Sequence, residues 1–373
     1  MNSHEVAQEA SWRVASARPT DRTKRIAWPD AAKGLCMVLV VLGHSALWFD
    51  QQVQGNSTLW LTITDVFAPF RMPFFFLISG LFSVNALARP LQQSRKRTIG
   101  LLWVYVLWTI LFVARLFVPG ASDGDNPPTA VEFLQSVLLP TPFWYLWALP
   151  VYFLFTWLIF RVLSGRYRLV VLIPLVALSA VAPLIDAATD SIMREPLDPL
   201  KLGSVASNAL WFYLGACAPS LWYALMKNAR WSYLAGSLGL YCVLIVPVLA
   251  WGVRDESKIL LAPLALFICS QAFSLLSMRT RVMSFLQWVG RSTLSVYVLH
   301  MFAISVISAL VGRFGLADLL TRYGWVEQLT PIVMSLTLVV VCIWVGNNVV
   351  LAHRYTSWML EAPRALTGAR ERR

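Results

Sequence analysis

The sequence predicts an all-α polytopic membrane protein, a bundle of about ten transmembrane helices with both termini in the cytoplasm. Of its 373 residues, 58% are hydrophobic and only 13% are charged, whereas a soluble domain carries about a quarter charged residues. Apolar stretches long enough to cross a bilayer recur along the chain. The short loops between them carry most of the Lys and Arg residues on alternating sides, as the positive-inside rule predicts.

The predicted spans alternate with short polar loops. The fifth span is the weakest, because it is short and contains Pro174 and Pro183. With the N-terminus inside, cytoplasmic segments contain 22 of the 31 Lys and Arg residues and outer loops contain six, so the loops alternate as ten spans require. The spans are predicted at residues 28–49, 63–88, 98–118, 144–163, 168–185, 207–226, 232–251, 259–277, 289–311 and 329–352.

Three regions follow from this pattern. Residues 1–25 form a basic cytosolic tail that is expected to be disordered, residues 26–353 form the membrane domain, and residues 354–373 form a second basic cytosolic tail. The net charge of +12 is explained by membrane topology, so the expected partner is the lipid bilayer and not a nucleic acid. Nucleotide-hydrolysis and metal-binding motifs are absent, so we expect no primary pump, no metal site and no tightly bound cofactor.

Two polar side chains share one face of the first span. Lys33 and His44 are eleven residues apart, within about 20° of a whole number of turns and roughly 16 Å apart along the helix. His44 is either a general base, which takes a proton from an acceptor hydroxyl and returns it to a leaving thiol, or a packing histidine. Lys33 either binds an anionic phosphate or a pantetheine carbonyl, or it snorkels and pairs with Asp30.

Arg71 is the intramembrane cation that topology explains least. It lies within the second span between Pro69 and Pro73, and no other basic residue surrounds it. An arginine at such depth is expected to have a function. Its expected task is to stabilise a developing oxyanion or to orient a thioester carbonyl.

Other polar and aromatic residues have two open interpretations each. His300 lies in the middle of the ninth span near Tyr297, and it either packs against another helix or binds an acceptor. Trp144 and Trp147 lie at an outer boundary, where they form an aromatic belt or stack on a sugar ring. The two longest outer loops, 119–143 and 186–206, could form part of an acceptor entrance.

The motifs of the first three spans together resemble the acyltransferase-3 family of membrane-bound O-acyltransferases. The Arg/Lys-x10-His signature of that family is matched by Lys33 and His44, after an Asp-x-x-Arg/Lys-Gly pattern at Asp30–Gly34. The Pro-x-Phe-Phe-x-x-Ser-Gly pattern is matched within Met72–Leu81, and the third span follows the basic cluster Arg95–Arg97. Lys33 stands where many relatives carry Arg, which the pattern permits.

The resemblance covers about residues 28–352. It implies a bacterial inner-membrane enzyme that moves an acyl group, commonly acetyl, from acyl-CoA as co-substrate to a hydroxyl of a surface or lipid-linked carbohydrate. Polysaccharide-assembly proteins are possible further partners. By the motif match, His44 would be the catalytic residue, and Lys33 and Arg71 would serve donor binding or catalysis. Taken with the positions of the other polar and aromatic residues, we expect as catalytic residues His44 and Arg71, as donor-binding residues Lys33, Asp30, Arg95 and Arg97, and as acceptor or cavity residues Ser79, Trp144, Trp147, Tyr297 and His300.

Two other function classes remain open from the sequence. A secondary transporter or flippase of a glycolipid or polysaccharide precursor would also have ten spans and buried cations, although the chain has no internal repeat. A sensor or assembly partner within a polysaccharide machine would tolerate substitution of His44. Detection of an ester product separates the enzyme from both alternatives.

Overall fold

The fold is a bundle of α-helices. A computed structural model describes residues 26–117, 128–189, 192 and 200–367, and it leaves out the side chains of residues 254–256. Within these ranges the secondary structure is helical, without β-strands. Eight helices are long and apolar enough to cross a membrane, or ten if each of two bent pairs counts as one span. The all-α multi-pass fold is thereby confirmed.

The helices are numbered here in chain order. The longer ones are α1 (Trp28–Gln52), α2 (Thr58–Leu81), α3 (Ile99–Ala114), α4 (Ala130–Leu138), α5 (Trp144–Val162), α6 (Leu172–Ala180), α7 (Ala182–Thr189), α8 (Leu202–Cys217), α9 (Pro219–Lys227), α10 (Trp231–Trp251), α11 (Arg254–Leu275), α12 (Arg281–Arg291), α13 (Thr293–Phe314) and α14 (Gly324–Val345). Single helical turns lie at Val84–Leu87, Tyr167–Val170, Ala317–Thr321 and Arg364–Thr367, with 3₁₀ turns at Leu91–Arg97, Arg115–Phe117 and Ser357–Met359 and a π-turn at Gly346–Val350.

Two of the predicted spans are broken. The weak fifth span bends by 47° between α6 and α7. The sixth, predicted as continuous over 207–226, instead bends by 78° between α8 and α9. Ala218 leaves the helical region with φ −130° and ψ 50°, and Pro219 opens α9 at its first position. A proline has no amide hydrogen for the preceding turn but fits the start of a helix, so the break falls at this residue.

Glycines set the two closest helix crossings around the candidate site. A Cβ atom on Gly80 of α2 would lie 2.1 Å from the backbone oxygen of Phe212 on α8, and one on Gly215 would lie 2.2 Å from the oxygen of Leu77. Likewise, a Cβ on Gly34 of α1 would lie 1.9 Å from the oxygen of Leu286 on α12. Any larger residue would separate these backbones, which is the reason small residues occupy membrane helix crossings.

The loop after α3 and the start of the predicted C-terminal tail both contain ordered turns. Helix α4 begins with a capping box in which Thr129 and Glu132 satisfy each other's backbone amides, an arrangement that stabilises a helix start. Trp103 and Trp108 on α3 donate hydrogen bonds to the backbone oxygens of Trp358 and Met359. The first residues of the predicted tail therefore pack on the bundle, while residues 1–25 and 368–373 lie outside the described ranges.

Candidate active site

One face of α1 connects the two polar residues that the sequence singles out. Lys33 and Met37, one turn apart, both line a cavity near the start of α1. His44 lies two turns further on, at the register that continues this face. Its side chain is exposed although the residues next to it, Ser45 and Ala46, are completely buried. His44 itself is not in the lining of this cavity.

The cavity at the start of α1, called cavity A, has a volume of about 270 Å³. It has two cationic residues, Lys33 and Arg97. Arg97 is held at the end of α2, where it donates to the backbone oxygen of Phe82 over 3.0 Å and to the Ser83 hydroxyl over 3.3 Å. The remaining lining is mostly apolar and aromatic and consists of Met37, Phe75, Ser79, Phe82, Ser83, Leu101, Tyr145, Leu146, Leu149, Phe153, Phe212, Thr293, Leu294 and Tyr297.

A second cavity, called cavity B, lies toward the opposite end of the bundle and has a volume of about 110 Å³. Its wall carries three charged residues, Arg71, Asp186 and Lys258. Asp186 accepts a 2.8 Å hydrogen bond from the backbone amide of Gly203, near the start of α8, where an anion is favoured by the helix dipole. The rest of the lining consists of Ala68, Met72, Pro73, Trp144, Ser179, Ala182, Pro183, Gly203, Ser204, Ser207, Asn208, Trp211 and Ile259.

Aromatic side chains form the wall between cavity A and cavity B. Trp144 lines cavity B while the next residue, Tyr145, lines cavity A. In the same way, Trp211 lines cavity B and Phe212 lines cavity A. Phe76 packs between the first pair, with its ring centroid 5.7 Å from that of Trp144 and 4.8 Å from that of Tyr145. The two cavities therefore approach each other back to back across an aromatic septum.

Arg71 reaches from α2 to the first helix. Its Nη1 donates to the backbone oxygen of Leu39 over 3.1 Å and lies 3.0 Å from the position of a Cβ on Gly43. The guanidinium therefore lies against the turn of α1 that precedes His44, and it also lines cavity B.

His300 lies beside His44. The two imidazole centroids are 5.3 Å apart and their planes are inclined by 46°. His300 is only 2% exposed. Tyr297, one turn earlier on α13, has its ring 6.2 Å from that of His300, and it also lines cavity A. The two histidines therefore lie next to the end of cavity A that Tyr297 lines.

The other predicted site residues divide into two groups. Ser79 lies in cavity A, where its hydroxyl is 3.2 Å from that of Tyr145. Three do not line either described cavity. Arg95 is exposed. The backbone oxygen of Asp30 lies close to Gly290 of α12, where a Cβ atom would be 1.7 Å from it. Trp147 donates a hydrogen bond to the backbone oxygen of Leu138 on α4. The roles of all these residues remain predictions.

Sequence reasoning did not select five residues that the cavities bring together. They are Tyr145 in cavity A and Asp186, Asn208, Trp211 and Lys258 in cavity B. The signal for Asn208 is a polar amide inside an apolar span, which is costly unless it is bonded or functional. The two charged residues look like ordinary loop residues in the sequence, and only the packing of α7, α8 and α11 brings them together.

Among the described residues, no cluster of three or more His, Cys, Asp or Glu side chains is arranged to hold a metal ion. The arrangement offers instead a cationic cavity, a polar cavity, an exposed imidazole and a guanidinium beside it. A base and a fixed cation near two binding spaces can serve a group transfer between ligands that arrive from opposite ends.

Comparison with known proteins adds a family to this geometry. The acyltransferase-3 family model, described as an acyltransferase domain, matches residues 26–346. The inner membrane protein YcfT of Escherichia coli strain K12 is similar to this chain, with 25% identity over 308 residues that cover 75% of this chain and 80% of YcfT. No solved structure matches the chain significantly.

Proposed function

This chain belongs to the acyltransferase-3 family, and we propose that it transfers an acyl group, commonly acetyl, from acyl-CoA to a hydroxyl of a bacterial surface or lipid-linked carbohydrate. The family that the motifs of the first two helices predict is confirmed, and with it an acyltransferase domain in a multi-pass membrane protein. We propose the bacterial inner membrane as its location, which is where the name of the relative YcfT places that protein.

Cavity A is the proposed donor site. Lys33 and Arg97 provide two cations for the phosphates of coenzyme A, and charge-assisted hydrogen bonds to phosphate are the strong class of such contacts. The apolar lining suits the uncharged pantetheine arm. The positive-inside distribution of Lys and Arg supports a cytoplasmic location for this end of the bundle, where acyl-CoA is made.

Cavity B is the proposed acceptor site, at the outer end of the bundle. Sugar rings are commonly recognised by hydrogen-bonding polar side chains together with flat aromatic surfaces. Cavity B offers both, with Asp186 and Asn208 as polar groups and Trp144 and Trp211 as aromatic groups. Its volume of about 110 Å³ suits one part of a sugar residue, so the rest of the acceptor would extend outward.

The proposed reaction takes place where the two cavities meet. An oxygen of the acceptor attacks the thioester carbonyl as His44 removes the hydroxyl proton. Arg71 stabilises the negative charge on the tetrahedral oxygen. The carbon–sulfur bond then breaks, the ester forms, and His44 returns the proton to the thiolate of coenzyme A. One proton is taken and one is returned, so the base is regenerated in each cycle.

The observation that carries this proposal is the aromatic septum shared by a cationic cavity and a polar one in a chain of this family. The test uses purified protein in proteoliposomes with [¹⁴C]acetyl-CoA and a glycolipid and glycan extract of the source cell envelope. We expect label to enter the extract as an alkali-labile ester. The matched control is His353→Ala, since His353 is an exposed histidine outside both cavities.

A different result would favour the rival class. If the extract stays unlabelled while the same proteoliposomes move a fluorescent glycolipid between leaflets, the protein is a transporter or flippase. If neither occurs and His44→Ala preserves glycan modification in cells, an assembly role replaces the enzyme.

A further inference from the structure

The inference concerns the side chain of His300, whose two ring nitrogens have different environments. Nδ1 lies 2.9 Å from the backbone oxygen of Val296, one turn earlier on α13. A carbonyl oxygen only accepts hydrogen bonds, so Nδ1 must carry the hydrogen. Nε2 is buried and has no partner. In the neutral ring, Nε2 therefore presents an unused lone pair in the interior of the bundle, where such groups are normally satisfied.

The nearest ring that can satisfy this lone pair belongs to His44. The centroid separation of 5.3 Å lets edge nitrogens of the two rings approach within hydrogen-bonding distance after a small rotation. His44 is free to rotate in this way because its side chain is exposed while that of His300 is fixed by burial and by Val296.

We propose that His300 is a positioning residue that fixes the tautomer of His44. Nε2 of His300 accepts a hydrogen bond from one ring nitrogen of His44, and the other nitrogen of His44 then carries the lone pair. Which nitrogen of a neutral histidine is basic is decided by the partner of the other nitrogen. The pairing stands on the geometry alone, and its catalytic consequence rests on the proposed function.

The hydrogen bond from His300 orients His44 without adding a charged group to the interior of the bundle. A carboxylate in this place would also orient His44, but it would bring a negative charge into the interior of the bundle. A second neutral imidazole supplies an acceptor without adding a charge to a low-dielectric interior. Tyr297 is another polar residue near His300, and its hydroxyl accepts a hydrogen bond from the backbone amide of Tyr145 over 3.3 Å.

The first measurement reads the tautomer directly and needs no substrate. The chain has four histidines, so magic-angle-spinning NMR of protein labelled with ¹⁵N only in histidine gives few ring signals. We expect a single tautomer of neutral His44 and a through-hydrogen-bond coupling between a His44 nitrogen and Nε2 of His300. In His300→Phe, which keeps a ring of similar size, we expect both tautomers of His44.

The matched control is His353. Its Nδ1 lies 3.1 Å from the backbone oxygen of Val349, one turn earlier, which is the same local arrangement as that of His300, but its side chain is exposed. His353→Phe should leave the tautomer of His44 unchanged. A change in both variants would mean that the effect is a general perturbation and would overturn the proposal.

The second measurement is kinetic and uses [¹⁴C]acetyl-CoA with the envelope extract. His300→Phe should lower kcat about 10–100-fold, the range found when a partner that orients a metal-ligating histidine is removed, with the KM for acetyl-CoA unchanged. His300→Gln should recover part of the loss because its amide oxygen also accepts a hydrogen bond. Equal losses in both variants, with the His44 tautomer unchanged, would reduce His300 to a packing residue.

The two measurements fail independently. Mixed tautomers of His44 in the wild-type protein, without coupling to His300, overturn the pairing whatever the protein catalyses. Should the coupling be present in a protein that forms no ester, the pairing stands and the proposed function fails.

Discussion

Arg71 on α2 donates a hydrogen bond to the backbone oxygen of Leu39 on α1 over 3.1 Å. This contact fixes one edge of the guanidinium one turn before His44. The nearby Gly43 leaves room for it, since a Cβ there would lie 3.0 Å from Nη1. A guanidinium has five N–H donors in a planar fork, so one edge can hold the helix while another faces a ligand.

Replacement of Arg71 should affect the chemical step more than donor binding. Arg71→Lys should lower kcat as severely as Arg71→Met, because an ammonium ion lacks the planar fork that can bond Leu39 and an oxyanion together. Removal of an oxyanion donor costs about 10²–10³-fold in kcat in enzymes studied, with little change in KM since the charge appears only in the transition state. Steady-state kinetics in proteoliposomes measure both constants, and an active Arg71→Met enzyme would remove this residue from the mechanism.

His44→Ala should abolish most ester formation. Loss of a general base alone costs about 10²–10⁴-fold in rate. The side chain is exposed, so its removal should leave expression and thermal unfolding near those of the wild type. The radiolabel assay and a thermal-shift assay check the two expectations together. Activity within a few-fold of the wild type would assign His44 to packing or to another task.

Lys33 should act on the acyl-CoA donor. We expect Lys33→Ala to raise the KM for acetyl-CoA more than that for the acceptor, and Lys33→Arg to keep substantial activity, because the position needs a cation in cavity A. Lys227→Ala is the control, as Lys227 is an exposed basic residue outside this lining. An equal rise in both KM values would indicate a structural role for Lys33.

Gly80 should tolerate no side chain. In Gly80→Ala the new Cβ would lie 2.1 Å from the backbone oxygen of Phe212, so α2 and α8 must separate, and overpacking of this kind costs about 1–3 kcal/mol. Gly239→Ala on α10 is the matched control, because a Cβ there meets no atom within 4 Å. Thermal unfolding in detergent should show a lower midpoint for the first variant alone. Equal midpoints would mean that this crossing is looser than described.

Both termini should lie in the cytoplasm. The Lys and Arg residues divide 22 to six between the two sets of loops when the N-terminus is inside, and such a bias sets membrane orientation. Reporter fusions within residues 120–140 should report the outer side, and those within residues 164–167 the inner side. The reverse pattern at either place contradicts ten alternating spans, including the two bent ones.

The sequence by itself determined the class of fold and the family. Hydrophobic length and Lys/Arg placement are local properties, so the ends of α5 and α10 were predicted within one residue, at 144–163 and 232–251. The shared face of Lys33 and His44 also follows from helical periodicity alone. The motifs identified the family because each lies within a single helix, where the number of residues between two positions fixes their distance and direction.

Only the tertiary structure decided which of the predicted residues meet. Arg97 lines cavity A whereas Arg95, two residues away, does not, although both are exposed. Trp144 lines cavity B whereas Trp147 turns toward α4. The meeting of His44 with His300 joins helices more than 250 residues apart in sequence. Such choices are made by the rotation and crossing of neighbouring helices, which depend on contacts between distant segments and leave no periodic trace in either segment alone.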